Sequence, residues 1–183
     1  AGNSGTGVFT VFLTSAGNTY TYALDQTFGQ QGYWQTTTTS GNAAGFYTSG
    51  VVTRRDRSYQ FNAIFVLGTS TSCRMFIGNS NHATLPSGTD PLNVLHGLGL
   101  TINGGNFRIA ANDGVSTTVF TDFSPSIAVD TAVHKLRIVA DHTSATYFCD
   151  LDDGNNTVTI SSNLPGATTN LRAQMVVETA TTA

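Results

Sequence analysis

Charged residues are scarce in this chain. Its 183 residues include 8 Lys or Arg and 11 Asp or Glu, and 10% of all residues are charged, against about 25% in an average globular domain. So few cations cannot form the basic surface that neutralises a phosphate backbone, which excludes nucleic acid as a partner. Lys135 is the only lysine and Glu178 the only glutamate, so no helix can carry the Glu–Lys pairs that line a helical bundle.

Long apolar runs and cysteine pairs are scarce too. No apolar stretch approaches the ~18 residues that cross a bilayer, which predicts no membrane association. Cys73 and Cys149 are the only cysteines, and each lies in a short apolar segment. This placement favours two buried free thiols, with a single disulfide as the alternative. The chain has no Cys-x-x-Cys pair, and no two of its four histidines stand two or four residues apart. Neither a metal site nor another cofactor is therefore predicted.

Uncharged polar residues take the place of the missing ions. Threonine alone makes up about a sixth of the chain, and this β-branched residue favours strands over helices. About a dozen short strand-like segments alternate with turn residues at a spacing of about 8–12 residues, which is typical of an antiparallel sandwich or barrel. The length favours a larger jelly roll of two stacked sheets. The predicted fold class is therefore all-β, a two-sheet antiparallel jelly-roll sandwich.

Two segments carry specific pairing predictions. Residues 8–14 and 20–24 flank the turn residues 15–18, which predicts a hairpin. In the segment 59–67, alternate residues starting from Tyr59 are apolar, and the opposite face becomes apolar midway. This pattern predicts a central strand that is covered on both faces.

Carboxylates are too few for the hydrolysis of sugars. A retaining glycosidase needs two carboxylates about 5–5.5 Å apart, one of which stays protonated. Asp150 and Asp152 could stand on one face of a strand, but Gly154 follows them closely and favours a hairpin turn that also includes Asp153. A sugar or metal ligand is the alternative role for these aspartates, and catalysis is the third. We therefore predict that the protein is not an enzyme.

Two groups of residues are candidates for binding. Arg54, Arg55 and Arg57 form the densest charge cluster in the sequence, which indicates either a solvated strand entry or a contact with another subunit or a host ligand. Tyr33 and Trp34 are adjacent aromatic residues. They are suited to a sugar platform or an interface anchor, with a position in the core as the alternative.

From about residue 46 to the end of the chain, short strand and turn segments follow one another in a recognisable order and spacing. These segments are 58–67, 74–78, 97–102, 106–109, 113–114, 130–138, 147–154 and 163–165. Together they resemble the concanavalin A-like (laminin G-like) jelly-roll domains of bacteriophage and other viral structural proteins. The resemblance covers about three-quarters of the chain.

The resemblance implies a function as well as a fold. It implies a jelly-roll core of residues 46–183. Residues 1–45 fall outside the resemblance and are expected to form an arm and first strands, and the whole chain is expected to be one compact domain. The resemblance further implies a non-enzymatic protein of the virion surface, a head decoration, spike or fibre domain that contacts other virion proteins. Such proteins act as homo-oligomers, with a trimer expected first, and they are extracellular. A carbohydrate-binding module or lectin that binds a host-surface glycan is the alternative function, and a glycoside hydrolase is the third.

Overall fold

The computed structural model describes most of the chain. The described residues are 8–13, 19–25, 29–35, 43–49, 52–68, 73–81, 92, 95–103 and 105–179. Side chains are described from residue 43 onward within these ranges, except those of Ser49 and Asn103.

The described residues form thirteen strands and one short 3₁₀ helix, Arg55–Arg57. The strands are β1 (Val8–Leu13), β2 (Thr19–Asp25), β3 (Gly29–Gln35), β4 (Ala43–Ser49), β5 (Tyr59–Val66), β6 (Cys73–Ser80), β7 (His96–Asn103), β8 (Asn106–Asp113), β9 (Val119–Ala128), β10 (Val133–Asp141), β11 (Thr146–Leu151), β12 (Asn156–Ile160) and β13 (Arg172–Thr179). Within these ranges, the structure contains no helix that is long and apolar enough to cross a membrane.

Eleven strands form one continuous sheet that curls into two layers. The order is β1-β4-β13-β6-β7-β8-β9-β12-β11-β10-β5, and β2 and β3 pair separately. The first layer ends at β8 and the second begins at β12, with β9 between them. Within β9 the pairing to β8 shifts from Asp122 to Ile127, and the intervening Ser124 pairs with Thr157 of β12. The prediction of an all-β, two-sheet antiparallel sandwich is confirmed.

The core lies between the two layers. Every second residue of β5, β10 and β11 points inward, because successive side chains of a strand alternate between its two faces. The largest fully buried side chains of this inter-layer cluster include Tyr147, Phe107, Ile77, Leu98, Leu100, Ile109, Leu136, Ile138 and Leu151. Phe107 of the first layer packs edge-to-face on Phe65 of the second, with ring centroids 5.8 Å apart. Buried aromatic rings therefore join the two layers.

Two pairing predictions are wrong. β1 and β2 do not form a hairpin, because β1 pairs with β4 and β2 pairs with β3. β5 is not central either: it ends the sheet order, and its outward residues Ile64 and Val66 are exposed.

The two cysteines are free thiols, as predicted. Cys149 is buried in β11 of the second layer, and Cys73 is half-buried at the start of β6 in the first layer. Burial raises the pKa of both thiols. Since the thiolate is the reactive form, neither cysteine is suited to act as a nucleophile.

Candidate functional site

The outer face of the second layer presents a row of polar side chains across three strands. Arg137 of β10 is paired with Asn62 of β5 on one side and with Asp150 of β11 on the other. Leu136 and Ile138 point into the core, so alternation directs Arg137 outward between them. The antiparallel register therefore places an amide, a guanidinium and a carboxylate side by side.

Arg137 and Asp150 form an ion pair that is exposed on one side and buried on the other. Arg137 Nη2 donates to Asp150 Oδ2 at 2.8 Å, and the two side chains are 46% and 4% exposed, respectively. Asp150 Oδ1 accepts the backbone N–H of Gly154 at 2.6 Å. The guanidinium carbon of Arg137 also lies 5.6 Å from the centroid of the Phe148 ring, a distance suited to a cation–π contact. These contacts hold both charged groups in fixed positions.

An open depression of about 380 Å³ surrounds this ion pair. Its lining combines the amide of Asn62, the aliphatic side chain of Ile64, and two cations that are each paired with an aspartate. The second cation, Lys135, donates to Asp153 Oδ2 at 2.7 Å. The complete lining is Asn62, Ala63, Ile64, Lys135, Leu136, Arg137, Asp150 and Asp153. We name this feature the outer depression.

The turn that closes one side of the outer depression is formed by the aspartates singled out in the sequence. Asp152, Asp153 and Gly154 have φ angles of 66°, 57° and 90°, and Asp and Gly tolerate this left-handed region better than most residues. Asp152 Oδ1 also accepts the backbone N–H of Lys135 at 3.0 Å. The predicted turn role is confirmed. No group of three or more His, Cys, Asp or Glu side chains in the described ranges is placed to hold a metal ion.

His134 anchors the same turn from the core side. Its Nδ1 lies 2.8 Å from Asp152 Oδ2 and its Nε2 lies 2.9 Å from Asp130 Oδ1. The ring is buried against Phe65 and Phe107, at centroid distances of 5.5 and 4.9 Å. The imidazole therefore links the loop before β10 to the turn after β11.

We expect Asp130 to make stability depend on pH at the acid end. The backbone N–H of Ala132, at 2.7 Å, and then the side chain of His134 lower the pKa of Asp130. A lowered folded-state pKa contributes stability above the unfolded value, about 3.9, and the contribution is lost as pH falls through the folded value. Because Asp130 is largely exposed, Asp130→Asn should cost about 1 kcal/mol or less at neutral pH. Urea unfolding across a pH series should show this difference disappear in acid, and a difference that persists there would contradict the assignment.

Ser58, His142 and Asp141 lie close together, but they do not have the geometry of a catalytic triad. Ser58 Oγ lies 2.9 Å from His142 Nδ1, and Asp141 Oδ1 lies 3.7 Å from the same nitrogen. In a catalytic triad the serine and the aspartate contact opposite ring nitrogens. Ser58 Oγ also accepts the backbone N–H of His142 at 3.0 Å, and the Asp141 carboxylate accepts the N–H and hydroxyl of Thr143. These contacts join two turns, and the Asp141 carboxylate is hydrogen-bonded to Thr143.

The three arginines predicted from the sequence as binding residues do not line the outer depression. Arg54, Arg55 and Arg57 lie in or beside the 3₁₀ helix that precedes β5. Arg54 Nε donates to Asp56 Oδ1 at 3.0 Å, so that aspartate offsets part of the charge. Tyr33 and Trp34 lie in β3, where they pair with Thr21 and Tyr20, and their side chains fall outside the described residues.

Sequence reasoning missed the main residues of the outer depression. The sequence indicated no binding role for Asn62 or Arg137, and it favoured a turn for Asp150, with a sugar or metal ligand as the alternative. The one available signal was the outward position of Arg137 between core residues, since a polar side chain there must face solvent or a charge of opposite sign.

Comparisons with known proteins identify the fold. No family model matches the chain, and no curated protein matches it in sequence. A protein of unknown function, SO2946 from Shewanella oneidensis MR-1, has a similar structure, with a TM-score of 0.63, 12% identity and coverage of 96% of this chain and 72% of that one. The carbohydrate recognition domain of Emp46p in its potassium-bound form has a TM-score of 0.59 and 9% identity, with 94% and 81% coverage.

A phage protein shares the architecture as well. The carbohydrate esterase vb_24B_21 from the Shiga toxin-encoding bacteriophage phi24B has a TM-score of 0.54 and 11% identity, with coverage of 94% of this chain and 90% of that one. Identities this low establish a common fold and nothing finer. The fold of this chain is a concanavalin A-like β-sandwich, as the sequence resemblance implied.

Proposed function

We propose that this protein is a non-enzymatic carbohydrate-binding domain and that saccharides bind in the outer depression. The observation that carries the proposal is the fixed row of Asn62, Arg137 and Asp150 across three adjacent strands. The row offers hydrogen-bond donors and acceptors at positions that the sheet and the ion pair hold rigid. Adjacent hydroxyl groups of a sugar ring require such paired, planar partners.

The remaining features of the outer depression suit the same ligand. Its volume of about 380 Å³ lies at the lower end of the range for small-molecule sites, about 300–1,000 Å³. The side chain of Ile64 offers an apolar surface beside the polar row, and sugar rings present C–H groups on one face and hydroxyls at the rim. Every cation of the lining is already paired with an aspartate, which favours neutral saccharides over strongly acidic ones.

The named functions of the structural neighbours are consistent with this proposal. The Emp46p structure is that of its carbohydrate recognition domain, and the phage protein is called a carbohydrate esterase. The fold therefore occurs in proteins that handle saccharides. The absence of turnover is part of the proposal, because Asp150 is engaged by Arg137 and by a backbone N–H. The other carboxylate of the lining, Asp153, is paired with Lys135, so both carboxylates are held in ion pairs rather than arranged for acid–base work.

Saccharide binding should depend on the amide of Asn62. We expect a panel of neutral oligosaccharides to yield a ligand for the intact chain and Asn62→Ala to weaken its binding about tenfold, the equivalent of about one well-formed hydrogen bond. Titration calorimetry measures both constants. Thr159→Ala is the matched control, because Thr159 is exposed on β12 and does not line the outer depression. Equal binding by wild type and Asn62→Ala would place the saccharide elsewhere.

A place on the surface of a virus particle is a second candidate function. The sequence resemblance to viral structural domains supports it, and so does the phage origin of one structural neighbour. In that setting the outer depression would serve host attachment, and the location would be extracellular. Immunogold labelling of intact particles with antibodies against this chain should decorate their surface, and labelling of disrupted particles alone would contradict it.

A further inference from the structure

The turn at residues 152–154 fixes several of the charges that line the outer depression. Asp153 in this turn accepts from Lys135 Nζ at 2.7 Å, and the backbone N–H of Gly154 donates to Asp150 Oδ1 at 2.6 Å. Lys135, Asp150 and Asp153 all belong to the lining. Asp152 and Asp153 hold positive φ angles of 66° and 57°, a conformation that non-glycine residues keep only where neighbouring contacts hold it. The position of these charges therefore depends on whatever holds the turn.

Asp152 joins the turn to the start of β10. Its Oδ1 accepts the backbone N–H of Lys135 at 3.0 Å, and its own backbone N–H donates to the carbonyl of Lys135 at 2.9 Å. Its Oδ2 lies 2.8 Å from Nδ1 of His134. Neither Asp152 nor His134 is among the residues that line the outer depression. Both can therefore influence a ligand there only through the residues that they hold.

The His134 ring is fixed on its other sides. The side chain is 5% exposed and packs on Phe65 and Phe107 at centroid distances of 5.5 and 4.9 Å. Its Nε2 lies 2.9 Å from Asp130 Oδ1, so Asp130 and Asp152 are the charged groups that face the ring in the described part of the chain. An imidazole confined in a close-packed core has little freedom to move with a loop. It is therefore the fixed point to which Asp152, and with it the turn, is tied.

We propose that His134 is a positioning residue of the outer depression and sets its preference for neutral over acidic saccharides. The ligand class in this inference rests on the proposed function. His134 acts through Asp152, which keeps Asp153 beside Lys135. While that ion pair is intact, the ammonium group is compensated and an acidic ligand gains little from it. Once the turn is released, Lys135 becomes an unpaired cation that attracts a carboxylated ligand, and a neutral ligand loses a fixed partner.

Two amide substitutions at His134 separate the contact with Asp152 from the rest of the ring. The side-chain nitrogen of asparagine is as many bonds from Cβ as Nδ1 is, and that of glutamine is as many bonds away as Nε2, while both variants lose the aromatic packing. His134→Asn should therefore keep a donor for Asp152, and His134→Gln should keep one only for Asp130. We expect His134→Gln to shift the ratio of neutral to acidic affinity about tenfold toward the acidic ligand, and His134→Asn to keep the wild-type ratio.

Titration calorimetry at constant pH and ionic strength measures this ratio. The neutral ligand is the oligosaccharide that the panel yields, and the acidic ligand is the same oligosaccharide with one hydroxymethyl group oxidised to a carboxylate. Asp152→Gly and Asp130→Gly repeat the comparison should a His134 variant not fold, since each removes one of the two carboxylates that face the ring. Glycine accepts the φ of 66° at residue 152 without strain. We expect only Asp152→Gly to shift the ratio.

Hydrogen exchange of the Gly154 N–H tests the hold on the turn without any ligand. We expect exchange about tenfold faster in His134→Gln and Asp152→Gly than in their matched partners. That result supports the positioning role even where no saccharide binds and the proposed function fails. Equal exchange in all four variants overturns the inference, even where saccharide binding depends on Asn62. An affinity ratio that keeps its wild-type value in His134→Gln and Asp152→Gly overturns the effect on specificity.

Discussion

Replacing Phe107 with alanine is expected to lower the free energy of unfolding by about 3–5 kcal/mol. Phe107 is fully buried in β8 of the first layer, and its ring contacts Phe65 and His134 of the second layer at centroid distances of 5.8 and 4.9 Å. The truncation removes apolar burial and leaves a cavity between layers that cannot collapse without shifting two strands. It also removes the ring against which His134 packs. Urea unfolding followed by circular dichroism measures the loss.

Phe148→Ala is the control for the loss of a phenyl ring. Phe148 lies on the outer face of β11, half-buried beneath Arg137, and its truncation creates no closed cavity. We expect a clearly smaller loss of stability for this variant. Equal losses for the two variants would contradict the inter-layer core, because that core alone distinguishes the two positions.

The alternation of residues predicted the faces of strands but not their neighbours. In the segment 59–67 the alternation places Tyr59, Phe61, Ala63, Phe65 and Leu67 on one face, and they all pack against the core. The apolar residues Ile64 and Val66 on the opposite face predicted a second covered face, but both are exposed. A periodicity of two reports which side of a sheet a residue occupies. It cannot distinguish cover by another layer of the same chain from exposure at an edge.

The first strands illustrate a different difficulty. The turn residues between β1 and β2 correctly indicated that one strand ends before them and another begins after them. Their partners, β4 and β3, were not predictable from that turn. β1 pairs with a strand more than thirty residues away, Val8 with Ser49, and such a pairing is decided by the packing of the whole sheet rather than by local turn chemistry.

The site was less predictable than the fold for the same reason. Asn62, Arg137 and Asp150 are brought together only by the registers of β5 with β10 and of β10 with β11. The arginines of residues 54–57 drew attention because they are dense in sequence, yet none of them lines the outer depression. Density along a chain is visible in a sequence, whereas adjacency across strands requires knowledge of the register.

Replacing Arg137 with methionine is expected to lower the free energy of unfolding by about 2 kcal/mol. The change keeps an apolar stem over Phe148 but removes the cation that faces the buried carboxylate of Asp150. Loss of one partner of a fully buried ion pair costs about 3–5 kcal/mol, because the other charge stays uncompensated. Arg137 is 46% exposed, so water replaces part of the lost interaction and the smaller figure applies.

A neighbouring lysine and a double variant make this prediction specific. Lys135→Met removes a cation from the same face of the same strand, but Lys135 and Asp153 are both largely exposed, so we expect a much smaller loss of stability than for Arg137→Met. Asp150→Asn in the Arg137→Met background should recover part of the stability, since the neutral side chain can still accept the Gly154 N–H without a buried charge. The coupling energy of this double-mutant cycle measures the ion pair directly. Additive losses would show that Asp150 is stabilised by its backbone contact alone, and Arg137 would then be free to turn toward a ligand without cost to the fold.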